Sequence, residues 1–163
     1  MTRQDKEKQY KEAIETYKGI ITKICYYFST CPEEYKDLHQ EVLITIWKGW
    51  DSFMGCSKKS TWIYRVCFNT CISYTRREKR NRNRVSLEEA MHLIDNSDRE
   101  ILVKYRRMHE LISRLSYKER AIILLWLDEK SYEEIAELMG INRNTLAVKI
   151  KRIKEKLINL SGK

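Results

Sequence analysis

The stretch Ser131–Leu157, SYEEIAELMGINRNTLAVKIKRIKEKL, decides how the second half of the chain folds. Ser131 and Glu134 have the spacing of a capping box, so a helix is predicted from Tyr132, with Ile135 and Leu138 as its apolar positions. Gly140 stands where a helix stops in the left-handed conformation, Ile141 turns inward, and Asn142 caps a second helix. In that helix Leu146, Ile150, Ile153 and Leu157 recur at three- and four-residue steps and make one buried stripe. Arg143, Lys149, Lys151, Arg152, Lys154 and Lys156 lie off the stripe. A short helix, a glycine turn and a basic second helix form the pattern of a helix-turn-helix, whose second helix enters the DNA major groove. Any helical hairpin shares the periodicity, and a basic face is often only a solvated one. The three features together favour nucleic acid.

Outward from this stretch, the bulk properties agree. The chain has 163 residues, a formal charge of +9 and a pI of about 9.3, which points to a polyanionic partner. One proline and five glycines leave little punctuation, so helices should dominate. No apolar run approaches the roughly 18 residues that span a membrane, so membrane insertion is not expected. The first residues, MTRQDKEKQYKE, carry no apolar signal core, and the cytoplasm is the expected location. The cysteines, Cys25, Cys31, Cys56, Cys67 and Cys71, are odd in number and contain no CxxC pair. Cys67 and Cys71 lie one helical turn apart, but His39, His92 and His109 complete no familiar ligand spacing. Small buried thiols are therefore expected, with no metal and no cofactor.

Residues 4–28 read as one helix with the stripe Tyr10, Ile14, Tyr17, Ile21, Ile24 and Phe28. STCP breaks it, and Pro32 suits the first turn of a helix over about 33–50. That helix buries Tyr35, Leu38, Val42, Ile46 and Trp50 and has Glu33, Glu34, Asp37 and Glu41 on an acidic face. The loop DSFMGCSKK (51–59) follows. Ser60 or Thr61 then opens a third helix that places Ile63, Val66, Cys67, Thr70 and Tyr74 together. Trp62, Tyr64, Arg65, Phe68 and Asn69 fall elsewhere on it. Aromatic and basic groups on a partly exposed face suit stacking on unpaired bases, although Trp62 and Phe68 also suit a core. RREKRNRNR (76–84) is a basic run passing into a polar, acidic segment, and a domain boundary is expected near 81–99. Periodicity returns at Ile101. Ser116 and Glu119 then start a strongly apolar helix, YKERAIILLWLD, at the centre of the second domain. The plan is all-α: two small helical domains, 1–80 and 100–163, joined by a flexible linker, the second ending in the helix-turn-helix.

Taken in order, DLHQEVLITIWKGWDSFMG (37–55), STWIYRVCFNTCISYTRR (60–77) and LSYKERAIILLWLDEKSYEEIAELMGINRNTLAVKIKRIKEKL (115–157) resemble a family. That family is the bacterial RNA polymerase sigma factors of the two-domain, extracytoplasmic-function group. The resemblance covers nearly the whole chain. It implies a promoter-specificity subunit, not an enzyme. Its implied partners are core RNA polymerase, through the clamp helices of the largest subunit and the flap region, promoter DNA, and an anti-sigma factor. By the same resemblance the D-x-x-Q-E helix docks on the clamp helices through Asp37, Gln40 and Glu41, with Ile44 and Trp47 nearby. The loop and the start of the third helix would read the minus-ten element as single-stranded DNA. Phe53, Met54, Gly55 and Ser57 would line a pocket for a flipped base. Lys58, Lys59, Thr61, Trp62, Arg65 and Asn69 would hold backbone or neighbouring bases, and Arg76, Arg77 and Arg80 duplex phosphates. In the second domain Ala147, Val148, Lys151 and Arg152 take the base-reading positions for the minus-thirty-five element. Arg143, Asn144, Thr145 and Lys149 take flanking, mainly phosphate positions.

The chain departs from the family pattern at His39, at the cysteines of the third helix, and at Ala147 and Val148, where larger polar side chains are common. Two other classes stay open on the residues alone. A conventional helix-turn-helix regulator has no use for the Asp37-Gln40-Glu41 face. A small nuclease would need a carboxylate cluster or a His pair, and neither is visible.

Overall fold

The computed structural model describes residues 2–53, 55, 58–78 and 99–162. It is helical, with no strand among the described residues, and its contacts group into two units, residues 1–90 and 91–163.

In the first unit α1 spans Arg3–Thr16, α2 Lys18–Phe28, α3 Pro32–Gly49 and α4 Lys59–Glu78, with a 3-10 turn at Trp50–Ser52. The single helix expected over 4–28 is thus two. Tyr17 ends one and starts the other at φ −102°, ψ 13°. The hydrogen-bond ladder carries across the break, from Tyr17 N–H to the Ala13 carbonyl and from Ile21 N–H to the Tyr17 carbonyl. The break is therefore a kink, placed beside Gly19, where the backbone bends at low steric cost. α1 begins with a full capping box between Thr2 and Asp5. α3 begins one residue earlier than expected because Pro32 itself takes the first turn, and α4 begins at Lys59 rather than Ser60.

The core of this unit is the meeting of α2, α3 and α4. Ile21, Ile24, Cys25 and Phe28 of α2 face Leu38, Val42 and Ile46 of α3 and Ile63, Cys67, Phe68 and Cys71 of α4, all buried. Burying a side chain of this size is worth about 1.5–3 kcal/mol. Cys25, Cys67 and Cys71 are free thiols, and burial pushes those of Cys67 and Cys71 well up. Glu34 was expected on the acidic outer face but is buried, where its carboxylate accepts from the Thr30 hydroxyl at 3.1 Å.

In the second unit α5 spans Arg99–Ser113, α6 Tyr117–Leu127, α7 Tyr132–Met139 and α8 Arg143–Ser161. The centre is α6, in which residues 120–125 are buried without interruption. Helices on several sides require that, and α7 and α8 both pack on it. Arg120 enters this core because its guanidinium donates to the Ser113 and Leu115 carbonyls, at 3.0 and 3.2 Å, which closes the turn between α5 and α6. Ser116 and Glu119 form the expected capping box. Ser131 caps α7 through Glu134 N–H, but the Glu134 carboxylate meets the Ser131 hydroxyl rather than its backbone N–H, so the box there is half formed. Gly140 has φ 67° and ends α7, and the Asn142 side chain accepts from Asn144 N–H to start α8. The helix-turn-helix is built as its residues dictate.

Two predictions follow from these joints. Gly140→Ala should lower stability by about 1 kcal/mol, because a Cβ meets no neighbour there but the left-handed backbone disfavours it. Urea unfolding of the full chain checks this, with Gly140→Asn losing less. The second concerns Glu119, whose carboxylate also accepts from Lys156 at 3.3 Å. Burial pushes its carboxyl up, but the Ser116 backbone, the Ser116 hydroxyl and Lys156 outweigh that and hold it below the usual range. The stability it contributes is therefore full above the unfolded glutamate value of about 4.3 and is lost as pH falls through the lower folded value. Glu119→Gln should show a lower Tm than the parent chain at pH 7, with the gap closing by pH 3.

Candidate polymerase- and nucleic-acid-binding surfaces

The first surface lies on α3, opposite its buried stripe. With Leu38, Val42 and Ile46 in the core, the positions one residue before or two after turn outward. Asp37 and Gln40 are exposed, Glu41 is half-buried, and Ile44 is 50% exposed. Ile44 thus leaves apolar surface open among carboxylates and an amide. Trp47 continues the row but is half-buried, because α1 lies against it: the Tyr10 ring meets it edge-on at 5.1 Å. Two of these acidic groups are held from α4. The Tyr74 hydroxyl donates to Asp37 at 3.3 Å, and Arg77 pairs with Glu41 at 2.8 Å. Arg77 was expected at DNA phosphates, yet the structure puts it in the acidic row of α3. An exposed pair of this kind is worth little, so the contact orients the two groups without locking them.

The second surface runs from the end of α3 into α4. Phe53 and Trp62 pack with ring centroids 5.2 Å apart, and both rest on Trp50, at 6.5 and 5.9 Å. Trp50 is buried and forms the floor, whereas Phe53 and Trp62 are half-buried and leave ring surface open. Gly49 makes this possible, since a Cβ there would stand 3.1 Å from the Trp62 ring. Gly55 is exposed at φ 72°, which suits a sharp loop. Lys58 and Lys59 are exposed at the head of α4, Thr61 and Arg65 are half-buried, and Asn69 and Arg76 are exposed. By helical spacing Trp62, Arg65, Asn69 and Arg76 share one face. Phe68 and Tyr64 are buried and stacked on each other at 6.0 Å, so of the two readings open for Phe68 the core one holds, whereas Tyr64 was expected off the buried face. They belong to the core because α4 is covered from two sides, by α2 and by α3. Met54, Ser57 and Arg80, and the expected boundary over 81–98, lie outside the described residues.

The third surface is α8. Leu146, Ile150 and Ile153 are buried, and the opposite face presents Asn144, Val148, Lys151 and Arg152, all exposed, with Ala147 half-buried. Thr145 and Lys149 are exposed beside them. Val148 is 48% exposed. The six basic residues of the helix divide. Lys154 lies 4.0 Å from the Trp126 ring centroid and Lys156 pairs with Glu119, so both serve the domain's own packing. Arg143 pairs with Glu133 at 2.6 Å and lies 5.6 Å from the Tyr132 ring, tying the start of α8 to the start of α7. Lys149, Lys151 and Arg152 remain for an external anion or base edge.

Trp50, expected only as a core residue, and Gly49 also shape the second surface. Their signal was the tripeptide Gly49-Trp50-Asp51 at a helix end, which shows its meaning only once Trp62 folds over it. Among the described residues no group of three or more His, Cys, Asp and Glu side chains is arranged to hold a metal ion, and no helix is long and apolar enough to cross a membrane.

Comparison with known proteins gives the family of the chain. The sigma-70 region 2 family matches residues 13–81, and the sigma-70 region 4 family matches residues 105–157. The chain is 32% identical over 139 residues to the ECF RNA polymerase sigma-E factor of Haemophilus influenzae, covering 76% of this chain and 72% of that one. It is 27% identical over 161 residues to the ECF RNA polymerase sigma factor SigW of Bacillus subtilis, covering 91% and 86%. In fold it is similar to the sigma factor RpoE of Bartonella quintana, solved in complex with the anti-sigma factor NepR. The TM-score is 0.75 at 19% identity, over 95% of this chain and 98% of that one. With identity of this order across both halves, the chain belongs to the ECF group of the sigma-70 family of RNA polymerase sigma factors.

Proposed function

We propose that the chain binds core RNA polymerase through the outer face of α3, reads the minus-ten element with the loop and α4, and reads the minus-thirty-five element with α8. The observation that carries this is the arrangement of Phe53, Trp62 and Trp50. Two half-open aromatic rings on a buried tryptophan floor, beside Lys58 and Lys59, offer stacking surface and phosphate neutralisation together. A duplex presents no free base face, so such a platform serves unpaired DNA. Capture of an unstacked base offsets an unpairing cost of a few kcal/mol, and melting by this route needs no cofactor and no catalytic residue. Met54, Gly55 and Ser57 complete the loop in this reading, and Arg76 and Arg80 meet the duplex next to it, with Arg77 joining them by leaving its exposed pair with Glu41.

On α3, Asp37, Gln40 and Glu41 supply a polar, reversible interface, and Ile44 supplies its apolar centre, with Trp47 at the edge. On α8, Arg152 suits a bidentate bond to guanine O6 and N7, and Val148 and Ala147 suit a thymine methyl. Lys151 works beside them at the bases. Arg143, Asn144, Thr145 and Lys149 hold phosphates and set the register. The two domains act as separate readers, 1–80 and 100–163, on a linker of about 81–99. The protein works in the cytoplasm, and an anti-sigma factor is its expected regulator. That inference rests on relatives such as the one solved with NepR.

Transcription in vitro with core bacterial RNA polymerase, on a library of random promoter sequences, tests the reading. Transcripts that depend on the protein and share a two-part motif upstream of their starts are expected. Sequence-specific duplex binding with no such transcripts would instead make it a conventional helix-turn-helix regulator. On a promoter so identified, Arg152→Ala should cost about 1–3 kcal/mol at a single base pair and relax specificity there. A scan of all substitutions in the minus-thirty-five element checks this. A loss spread evenly across sequences would make Arg152 a phosphate contact.

A further inference from the structure

α1 makes a connected set of contacts with the end of α3 that no role so far explains. Lys6 and Tyr10, one helical turn apart, share a face. The Lys6 ammonium lies 2.9 Å from the Asp51 carboxylate and 4.2 Å from the Trp47 ring centroid. Its side chain is only 16% exposed, although that of Asp51 is 69% exposed. The Tyr10 hydroxyl donates to the Leu43 carbonyl at 2.9 Å, and its ring meets Trp47 and Trp50 edge-on at 5.1 and 6.3 Å. Asp51 sits in the 3-10 turn Trp50–Ser52, from which the loop at Phe53 departs. The contacts therefore run without a gap from Lys6 and Tyr10, through Trp47, Trp50 and Asp51, to Phe53 and Trp62.

A lysine placed this way is an unusual use of the residue. Lysine heads normally stay in water, and an exposed lysine–carboxylate pair is held loosely. Here the ammonium is withdrawn over an indole, which strengthens both the cation–π contact and the pair. Its reach also matters: it joins α1 to a turn 45 residues further along the chain. A 3-10 turn of three residues has few bonds of its own. The Ser52 hydroxyl donates to the Gly49 carbonyl and Phe53 N–H to the Trp50 carbonyl, both between the turn and its immediate neighbours in the chain. The pair of Asp51 with Lys6 ties the turn to another helix.

We propose that Lys6 is a positioning residue for promoter opening. By pairing with Asp51 across Trp47 it holds the 3-10 turn, and through it the Phe53–Trp62 platform, in the conformation that receives an unpaired base. This rests on the reading of that platform as the reader of the minus-ten element. Lys6 touches no DNA in this scheme. It raises the fraction of the free protein whose loop is competent, and losing it lowers the apparent affinity for unpaired DNA by that fraction.

The test uses the full chain, core bacterial RNA polymerase and a promoter selected by the transcription library. Open complex is read by permanganate reactivity of unpaired thymines. Affinity for core polymerase and thermal unfolding are measured alongside. Lys6→Met keeps an apolar stem over Trp47 and removes the charge, and open complex is expected to fall about tenfold. Asp51→Asn leaves the lysine over the indole and should cost about threefold. Lys6→Arg keeps both contacts and should stay within about twofold of the parent chain. Core affinity should be unchanged in all three. Parental open-complex yield from both Lys6→Met and Asp51→Asn overturns the proposal. So do losses of opening, core affinity and thermal stability that run in parallel, since these mark a purely structural lysine. If Lys6→Met fails to fold, Asp51→Asn, a change at an exposed side chain, decides. A parent chain that opens no promoter in the library removes the sigma reading itself and this inference with it. A parent that opens while the variants open equally removes only the role of Lys6.

Discussion

Burial of one stripe of α3, Leu38, Val42 and Ile46, between α2 and α4 is the constraint on which the first domain depends. None of the three has any exposed surface. Once they are committed, helical geometry leaves Asp37, Gln40, Glu41 and Ile44 on the outside, and a polar face with one open aliphatic is available to a partner. The same packing aims α4. Its inner face goes to the core with Ile63, Cys67, Phe68 and Cys71, and the thiols pack there as small apolar groups. The outer face that remains carries Arg65, Asn69 and Arg76. The chemistry of the surface follows from what the core has already taken.

The aromatic platform sits where the two demands meet. Trp50 is in the core and Phe53 and Trp62 are half out of it, so the rings are held from below by packing and open above. Rigid support under an exposed stacking surface reduces the ordering cost of binding. Gly49 is part of that support through the space it leaves. The contacts of α1 with Trp47, Trp50 and Asp51 extend the support to a second side.

In the second domain the organising element is α6, buried through residues 120–125, against which α7 and α8 are set. The charges of α8 are sorted by that packing. Lys154 and Lys156 turn back to Trp126 and Glu119, Arg143 turns to Glu133, and Lys149, Lys151 and Arg152 are left facing out. A uniformly basic helix in one dimension becomes a helix with a short outward basic patch in three. The turn after α6 carries a cost of its own: Glu129 sits at φ 60°, a conformation that residues with a Cβ disfavour by roughly 1–2 kcal/mol. The turn keeps it because the Lys130 N–H reaches the Leu125 carbonyl and the Glu129 N–H the Trp126 carbonyl, closing the end of α6.

By itself the sequence determined the helices of the second domain, their caps at Ser116, Ser131 and Asn142, the left-handed stop at Gly140, and the family. These are local or periodic features, carried by hydrogen bonds within four residues and by apolar spacing. It also determined the outer row Asp37, Gln40, Glu41 and Ile44, because a single buried stripe defines its own opposite face. Only the tertiary structure decided the contacts that join distant segments: Arg77 on Glu41, Trp62 over Gly49, and Lys6 on Asp51. It also moved Tyr64 from a supposed outer face into the core, chose the core for Phe68, and divided residues 4–28 at Tyr17. The physical reason is the same in each case. Periodicity reports which side of one helix is apolar, but α4 is covered by two neighbours, and long charged side chains choose their partners across 10 to 45 residues, where spacing along the chain carries no information.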